Sequence, residues 1–473
     1  MNPYLALLVV YAVGLTAVGL WIARLVKSSS DFFVAGRSLS APLLFSTILA
    51  ANIGAGSTVG AAGLAYSDGI SAWWWNGSAA IGSIVLALWV GPKLWTLAER
   101  HGFYTVGDFL EYRYGRPVRG LVAALIWVGT LAILAGQLIA GAAVLEVVAD
   151  VPRAWGTAIG AGAMLVYFVA GGLLSSAWVN AVQLVVLLGG LLAAVPIVIE
   201  KAGGFAGITA AGPPHFWNPL HTTGPGSGVT LLAMLGPAFI VSPGLLQKVY
   251  GAASPRTVRV GVGMQAVALA LFAFVPVLLG MSARVVVPDV SSPNLVLPTV
   301  LVQALPVWLG ALGLAAVFSA EVSTCDAILF MLATSLSQDL YRQFINPGAD
   351  DRTILTVARL AAIAGGALGV LLAIQLPTVL GALTIFYTLL GVSLFVPVMA
   401  GLYSRRVGTA ETLAAIVAGV SFVLAVQLSG QAGRAVWTNP NVGGLIAAAA
   451  ACGLVLVLRR RARVESRVSS GNS

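Results

Sequence analysis

Runs of mainly apolar residues long enough to cross a bilayer, about 20 each, recur along the whole chain with short polar joins between them. Thirteen such runs cover roughly 3–26, 40–66, 71–97, 118–148, 155–173, 176–199, 228–250, 256–283, 307–341, 353–376, 378–402, 408–430 and 441–459. The pattern predicts an all-α polytopic membrane protein with about 13 transmembrane helices. No stretch is left for a soluble catalytic domain. The first run lacks a basic leader and is too long for a signal peptide, so it is expected to remain as the first span.

Two runs are interrupted. The second contains "LAANIGAGSTVG" (49–60), where three glycines and the polar Asn52, Ser57 and Thr58 sit at membrane depth. The seventh contains "LGPAFIVSPGLLQK" (235–248), where Pro237, Pro243 and Gly244 remove donors or admit a bend. Lipid cannot satisfy freed N–H and C=O groups, so irregular backbone is tolerated only where protein buries it or it lines a cavity. The two breaks lie five runs apart. Transporters built from two inverted repeats place discontinuous helices at corresponding positions, with solute and ions at the midplane between them. Runs 2–6 (40–199) and 7–11 (228–402) then form the repeats of one transporter domain. An extra helix (3–26) precedes them, two accessory helices (408–459) follow, and a basic tail occupies 460–473.

The longest joins are about 200–227, 284–306 and "AERHGFYTVGDFLEYRYGRPVRG" (98–120), whose mixed charges and aromatics suit a helix lying in the interface. The "WWW" at 73–75 falls at a span end, where indoles anchor in the aromatic belt.

Composition agrees with this reading: 59% of residues are hydrophobic and 9% charged, at a mean hydropathy of +0.96, more apolar surface than a soluble domain can bury. The net charge of +9 changes the picture only through its placement. With the N-terminus outside, 21 of the 25 Lys and Arg fall on the cytoplasmic side, Arg459, Arg460, Arg461, Arg463 and Arg467 of the tail among them. Only Arg153, Lys201, Arg284 and Arg434 fall outside. The positive-inside rule accounts for this asymmetry and puts the C-terminus in the cytoplasm, so no nucleic-acid partner is expected. Cys325 and Cys452 have no paired spacing, and His101, His215 and His221 are scattered, so neither type suggests a metal or redox site. No cluster suited to catalysis is present, and an enzyme is not expected. Arginine outnumbering lysine, with abundant Ala and Gly, fits a GC-rich bacterium and therefore its plasma (inner) membrane. The oligomeric state is not readable.

Four stretches resemble the sodium:solute symporter family. "DFFVAGRSLS" (31–40) is similar to the segment before the family's first core helix, and "YTVGDFLEYRYG" (104–115) to its join between the second and third. "YFVAGGLLSSAWVNAVQ" (167–183) resembles the turn from the fourth to the fifth, and "QKVYGAASPRTVRVG" (247–261) the end of the sixth. The resemblance covers about residues 3 to 460. It implies a LeuT-type inverted-repeat fold and secondary active uptake of a small polar organic solute. The driving ion is inward sodium, with a proton as the alternative and no organic cofactor. The competing reading is a solute sensor or an uncoupled channel of the same fold, which concentrative, ion-dependent uptake would separate. Fold does not name the solute.

In the family, sodium is held by two carbonyls of the broken first core helix and by one carbonyl and two hydroxyls of the eighth, the all-oxygen set a hard cation prefers. By resemblance the first pair is Ala50 and Ile53. Placing the family's Ala-x-x-Ser-Ser/Thr motif on "AAVFSAEVSTCDAILF" (315–330) puts the carbonyl on Ala316 and a hydroxyl on Ser319, and leaves Ala320 where a second hydroxyl belongs. The site then lacks one ligand. On the fifth core helix the family's Trp-Thr-Asp becomes "WVN", so Asn180 replaces an acid. At about 100° per residue, Ala316, Ser319, Ser323 and Asp326 share one face, and Glu321 points elsewhere. Buried charge in a span is functional by default. Asp326, with Ser319, Ser323 and Asn180, is therefore expected to restore the lost negative charge on a cytoplasm-facing cation path, the alternatives being a proton acceptor or a structural pair to another helix, with Arg359 as partner.

Solute candidates are Asn52, Gly56, Ser57 and Thr58, beside freed backbone groups that favour polar ligands, together with Asn76, Ser242 and Gln247. The family's sugar branch carries large polar side chains at the positions of Gly56 and Ser57 and an acid at that of Asn76, so its hexose contacts do not carry over. With no concentrated positive charge at membrane depth, a small neutral, zwitterionic or monocarboxylate solute is expected.

Overall fold

The computed structural model describes residues 2–23, 34–221, 228–430, 432–433 and 436–470, and within these the backbone alone at 16, 19–20, 22–23, 35, 163–164, 166–177, 436 and 462–470. Asp31, Phe32, Phe33, Arg24, Lys27, Arg434 and the side chains of 167–177, Arg463 and Arg467 lie outside the described residues.

The described chain is all helical. In order, the helices are α1 (Pro3–Ala23), α2 (Ala41–Asn52), α3 (Ala61–Asp68), α4 (Trp73–Val85), α5 (Gly91–His101), α6 (Val106–Tyr114), α7 (Arg116–Ala149), α8 (Arg153–Lys201) and α9 (Gly204–Ala211). There follow α10 (Gly228–Val241), α11 (Pro243–Tyr250), α12 (Pro255–Phe272), α13 (Phe274–Val286), α14 (Val296–Gln303), α15 (Val307–Thr334), α16 (Asp351–Gln375), α17 (Val379–Tyr403), α18 (Thr409–Leu428) and α19 (Pro440–Ser470). Proline stands in the first turn of α2, α5, α7, α11 and α12, where its missing N–H would have had no intrahelical partner.

Ten helical segments among the described residues are long and apolar enough to cross a membrane. Two differences from the thirteen runs concern the described backbone. Ala41–Asn52 is apolar but short, and helical turns continue from Gly56 through to His101, while α1 (Pro3–Ala23) runs over 21 residues within the first run. One helix, Arg153–Lys201, covers both 155–173 and 176–199; the serines between those runs remove no backbone donor, as a proline would. Within Gly56–His101 the chain turns at Gly69, whose φ of +71° suits glycine alone and which packs on Phe216 O.

The helix pairing has a pattern. α2 and α3 pack on α12 and α13, while α10 packs on α4; α7 packs on α17, while α15 packs on α8; and α7 and α15 pack on each other. If 40–199 and 228–402 correspond helix for helix, each of these contacts is the image of another or of itself. α1 lies against α8 and α15, and α18 and α19 pair beside α17.

Within 98–120, α6 is docked against the bundle. Thr105 caps it with a capping box, Phe109 is fully buried, and Tyr114 donates to Pro397 O at 2.9 Å, burial pushing its phenol up to about 12. The three tryptophans at 73–75 also contact protein, Trp73 and Trp74 while half-buried. Trp75 is buried, and Trp73 and Trp74 donate to Ala270 O and Pro219 O.

Candidate functional site

The first break begins where α2 ends. Ile53 leaves helical dihedrals (φ −93°, ψ 77°) with its N–H still bonded to Leu49 O, and the chain re-enters helix through a wide turn at Gly56–Gly60. Gly54 stands at the centre for a steric reason: a Cβ there would collide with Thr324 and Gln137. Gln137 of α7, itself buried, accepts from Ala55 N at 2.8 Å. Ser57 Oγ donates to Asn52 O at 2.7 Å and Thr58 Oγ1 to Gly54 O at 2.9 Å. The groups freed by the break thus find partners inside the protein, as the absence of water demands.

α15 closes on the last turn of α2. Ser323 Oγ lies 2.8 Å from Ala50 O and 3.1 Å from Ala320 O, and Thr324 Oγ1 donates to Ala51 O at 3.0 Å. Carbonyl and hydroxyl oxygens converge here without a carboxylate among them, a neutral, hard donor set suited to a monovalent cation. Ser319 is turned elsewhere. Its hydroxyl is 2.5 Å from Tyr11 OH on α1 and donates to Ala315 O. Ala316 faces α8, where a Cβ on Gly190 would meet its methyl at 2.8 Å.

Near this junction a lysine is buried. Lys248 of α11 is 1% exposed, and its ammonium donates to Thr47 O at 2.7 Å. Asn180 Nδ2 donates to Thr47 Oγ1 at 3.3 Å, and the buried Asp326 is the acid electrostatically coupled to Lys248. Arg359 is exposed on α16. Glu321 packs on Gly141 of α7, and neither of its oxygens has a hydrogen-bond partner among the described residues.

The two breaks meet across a cavity of about 40 Å³, little more than one water's share of liquid volume, roughly 30 Å³. Asn52 and Ser242 line it from the two breaks, and Phe239, Phe386, Tyr387 and Met331 form apolar walls. The Asn52 amide nitrogen has no hydrogen-bond partner among the described residues.

The sodium:solute symporter family model matches residues 32–419. The chain belongs to the sodium:solute symporter family. Over 459 residues this symporter is 27% identical to a sodium/glucose cotransporter of Vibrio parahaemolyticus, covering 88% of this chain and 83% of the relative. It is 27% identical over 413 residues to a sodium/pantothenate symporter of Escherichia coli K12, covering 82% and 83%. A Na+-coupled sialic acid symporter solved in a substrate-bound outward-open state has a TM-score of 0.83 at 18% identity, with 97% and 98% covered. The fold is that of the LeuT-type transporters.

In this symporter, then, Ala50, Ser323, Asn52 and Ser242 gather at the junction, and Asn180 and Asp326 lie beside it around Thr47 and Lys248. Ala316 and Ser319 do not join them. The spelling Ala-x-x-Ser-Thr recurs at "AEVST" (320–324), and Ser323 and Thr324 of this second placement are the ones that contact α2. Four residues along a helix rotate the face by only about 40°, so periodicity could not separate the two placements. Thr58 spends its hydroxyl on Gly54 O, and Gly56 packs against Trp75 and Leu383 rather than opening onto space. Asn76 donates to Ser57 O at 3.1 Å, bracing the turn from behind. Sequence reading missed Ala320, Thr324, Gln137, Thr47, Lys248 and Tyr11. Lys248 carried a usable signal, an ionisable residue inside an apolar run.

Proposed function

We propose that this symporter couples inward sodium flux to uptake of a small polar organic solute, with sodium held by Ala50 O, Ile53 O, Ala320 O, Ser323 Oγ and Thr324 Oγ1. The observation that carries this is the docking of Ser323 and Thr324 onto the last carbonyls of α2. It supplies the two hydroxyls that the register on Ala316 and Ser319 lacks, and so favours sodium over a proton, which would need a carboxylate at the junction. The solute sits where the breaks meet, with Asn52 and Ser242 as polar contacts and Phe239, Phe386 and Tyr387 against an apolar flank. A neutral, zwitterionic or monocarboxylate compound fits, since Lys248 is balanced by Asp326. The paired packing of the helices supports inverted repeats over 40–199 and 228–402. With the helix 3–26 before them and accessory helices 408–459 after, this gives thirteen spans, the N-terminus outside and the tail 460–473 in the cytoplasm of a bacterial plasma membrane.

Proteoliposome uptake at varied sodium tests the site. Ser323→Ala and Thr324→Ala each remove one of about five ligands and are expected to raise the half-saturating sodium concentration about tenfold or more. Ser319→Ala should leave it within about twofold. The reverse ranking would return the site to the register on Ala316 and Ser319. Uptake that is equally fast without a sodium gradient would remove sodium coupling altogether.

A further inference from the structure

A cleft unconnected with the ion and solute sites lies between the α17–α18 join and α19, at the end of the bundle where basic residues gather. Its volume is about 430 Å³. Arg405 and Arg406 line it from the join and Arg459 and Arg460 from α19, all four exposed, and Glu411 is the one acid among its lining residues. Glu411 is largely committed. Its carboxylate caps α18 by accepting from Gly408 N at 3.0 Å, and its hold on Arg459 is long, 3.4 Å to each oxygen. Four guanidinium groups from two segments of the chain therefore face one cleft with little to neutralise them. Guanidinium forks match phosphate oxygens in bidentate geometry.

Depth narrows the ligand. The apolar run of α19 ends at Leu458 and passes directly into Arg459, Arg460 and Arg461, so the cleft lies at the level of lipid headgroups. Leu456 forms part of its wall, and Leu454, Val457 and Leu458 on the same helix are 61%, 48% and 54% exposed. An apolar track thus leads from the arginines toward the hydrocarbon. A free anion has no use for that track, whereas acyl chains do. We propose that this cleft binds the phosphate of an acidic phospholipid, which bridges the α17–α18 join to α19 while its chains follow the exposed face of α19. The positive-inside rule explains why arginines stand at this end; it does not explain why they converge on a cavity.

The test is lipid retention by the purified full-length protein, read by native mass spectrometry, with phosphatidylglycerol, cardiolipin, phosphatidylcholine or inorganic phosphate added separately. Phosphatidylglycerol and cardiolipin are expected to be retained over phosphatidylcholine. R405Q/R406Q and R459Q/R460Q should each weaken retention about tenfold or more. R256Q/R259Q removes equal charge from exposed positions on α12 outside the cleft and should change retention by no more than about twofold. Should a glutamine pair fail to fold, R405K/R406K keeps the charge and loses the fork, and is also expected to weaken retention. Equal retention of phosphatidylcholine, an equal loss in R256Q/R259Q, wild-type retention in R405K/R406K, or displacement of phosphatidylglycerol by millimolar inorganic phosphate would each overturn the proposal. None of these residues touches the ion or solute site, so its failure leaves the transport reading intact.

Discussion

Ser319 and Ser323 stand one turn apart on α15 and serve different neighbours. Ser319 binds Tyr11 of α1, and Ser323 binds the carbonyl of Ala50. Tyr11→Phe should therefore lower thermal stability by about 1 kcal/mol, the net worth of a typical hydrogen bond, without moving the sodium dependence of uptake; a sodium shift as large as that of Ser323→Ala would place α1 in the ion site. Lys248 and Asp326 call for a paired test. Removing one partner of a buried charge pair costs about 3–5 kcal/mol, so Asp326→Asn alone should destabilise the protein by that order and Lys248→Met with Asp326→Asn should recover most of it. If Asp326→Asn instead leaves stability unchanged and alters only the sodium or pH dependence of uptake, Asp326 belongs to the cation path and not to the pair.

At the scale of the element, the break in α2 is held from three sides: by Gln137 from α7, by Ser323 and Thr324 from α15, and by its own Ser57 and Thr58. The sequence showed that the helix breaks, because glycines and polar residues at membrane depth have no other stable use. It did not show which helices fill the gap, since Gln137 lies in a run with no irregularity of its own. Gly54→Ala would push a methyl into Thr324 and Gln137, and overpacking of this kind costs about 1–3 kcal/mol. The expected outcome is a lower melting temperature together with weaker sodium binding, measured on the same sample. Normal sodium affinity in a folded Gly54→Ala variant would mean that the contact between α2 and α15 is not what forms the site.

Across the whole molecule, one buried arginine ties the two halves together. Arg119 of α7, 2% exposed, bonds Asp339 after α15 at 2.7 Å, Asp108 and Glu111 of α6 at 2.7 Å each, and Gln338 O at 3.1 Å. Thr105 also donates to Asp339, at 2.6 Å. Arg119→Ala would leave the buried Asp339 carboxylate unpaired beside the half-buried Asp108 and Glu111, and a loss of about 3–5 kcal/mol is expected in a thermal or denaturant melt; a melt unchanged from wild type would show the network to be dispensable. A second tie pairs Leu39 N with Gly251 O and Ala253 N with Leu39 O, fixing the start of α2 to the end of α11. Arg37 adds bonds to the carbonyls of Tyr250, Phe103 and Ala98. The described part of the first family-like motif, 34–40, thus meets those at 104–115 and 247–261 at one end of the bundle.

The sequence alone determined the solvent the protein faces, the helical class and the two places where helices fail, because each follows from local rules: apolar length, proline and glycine chemistry, and the cost of an unsatisfied backbone in lipid. It also carried the family, through short motifs in the right order. Only the tertiary structure decided the register of α15 against α2, the burial of Lys248, the inward packing of Trp75 and the docking of α6. Each of these depends on which residues from distant runs share a space. A helix repeats its faces nearly every four residues, so two motifs four apart look alike until a neighbouring helix selects one.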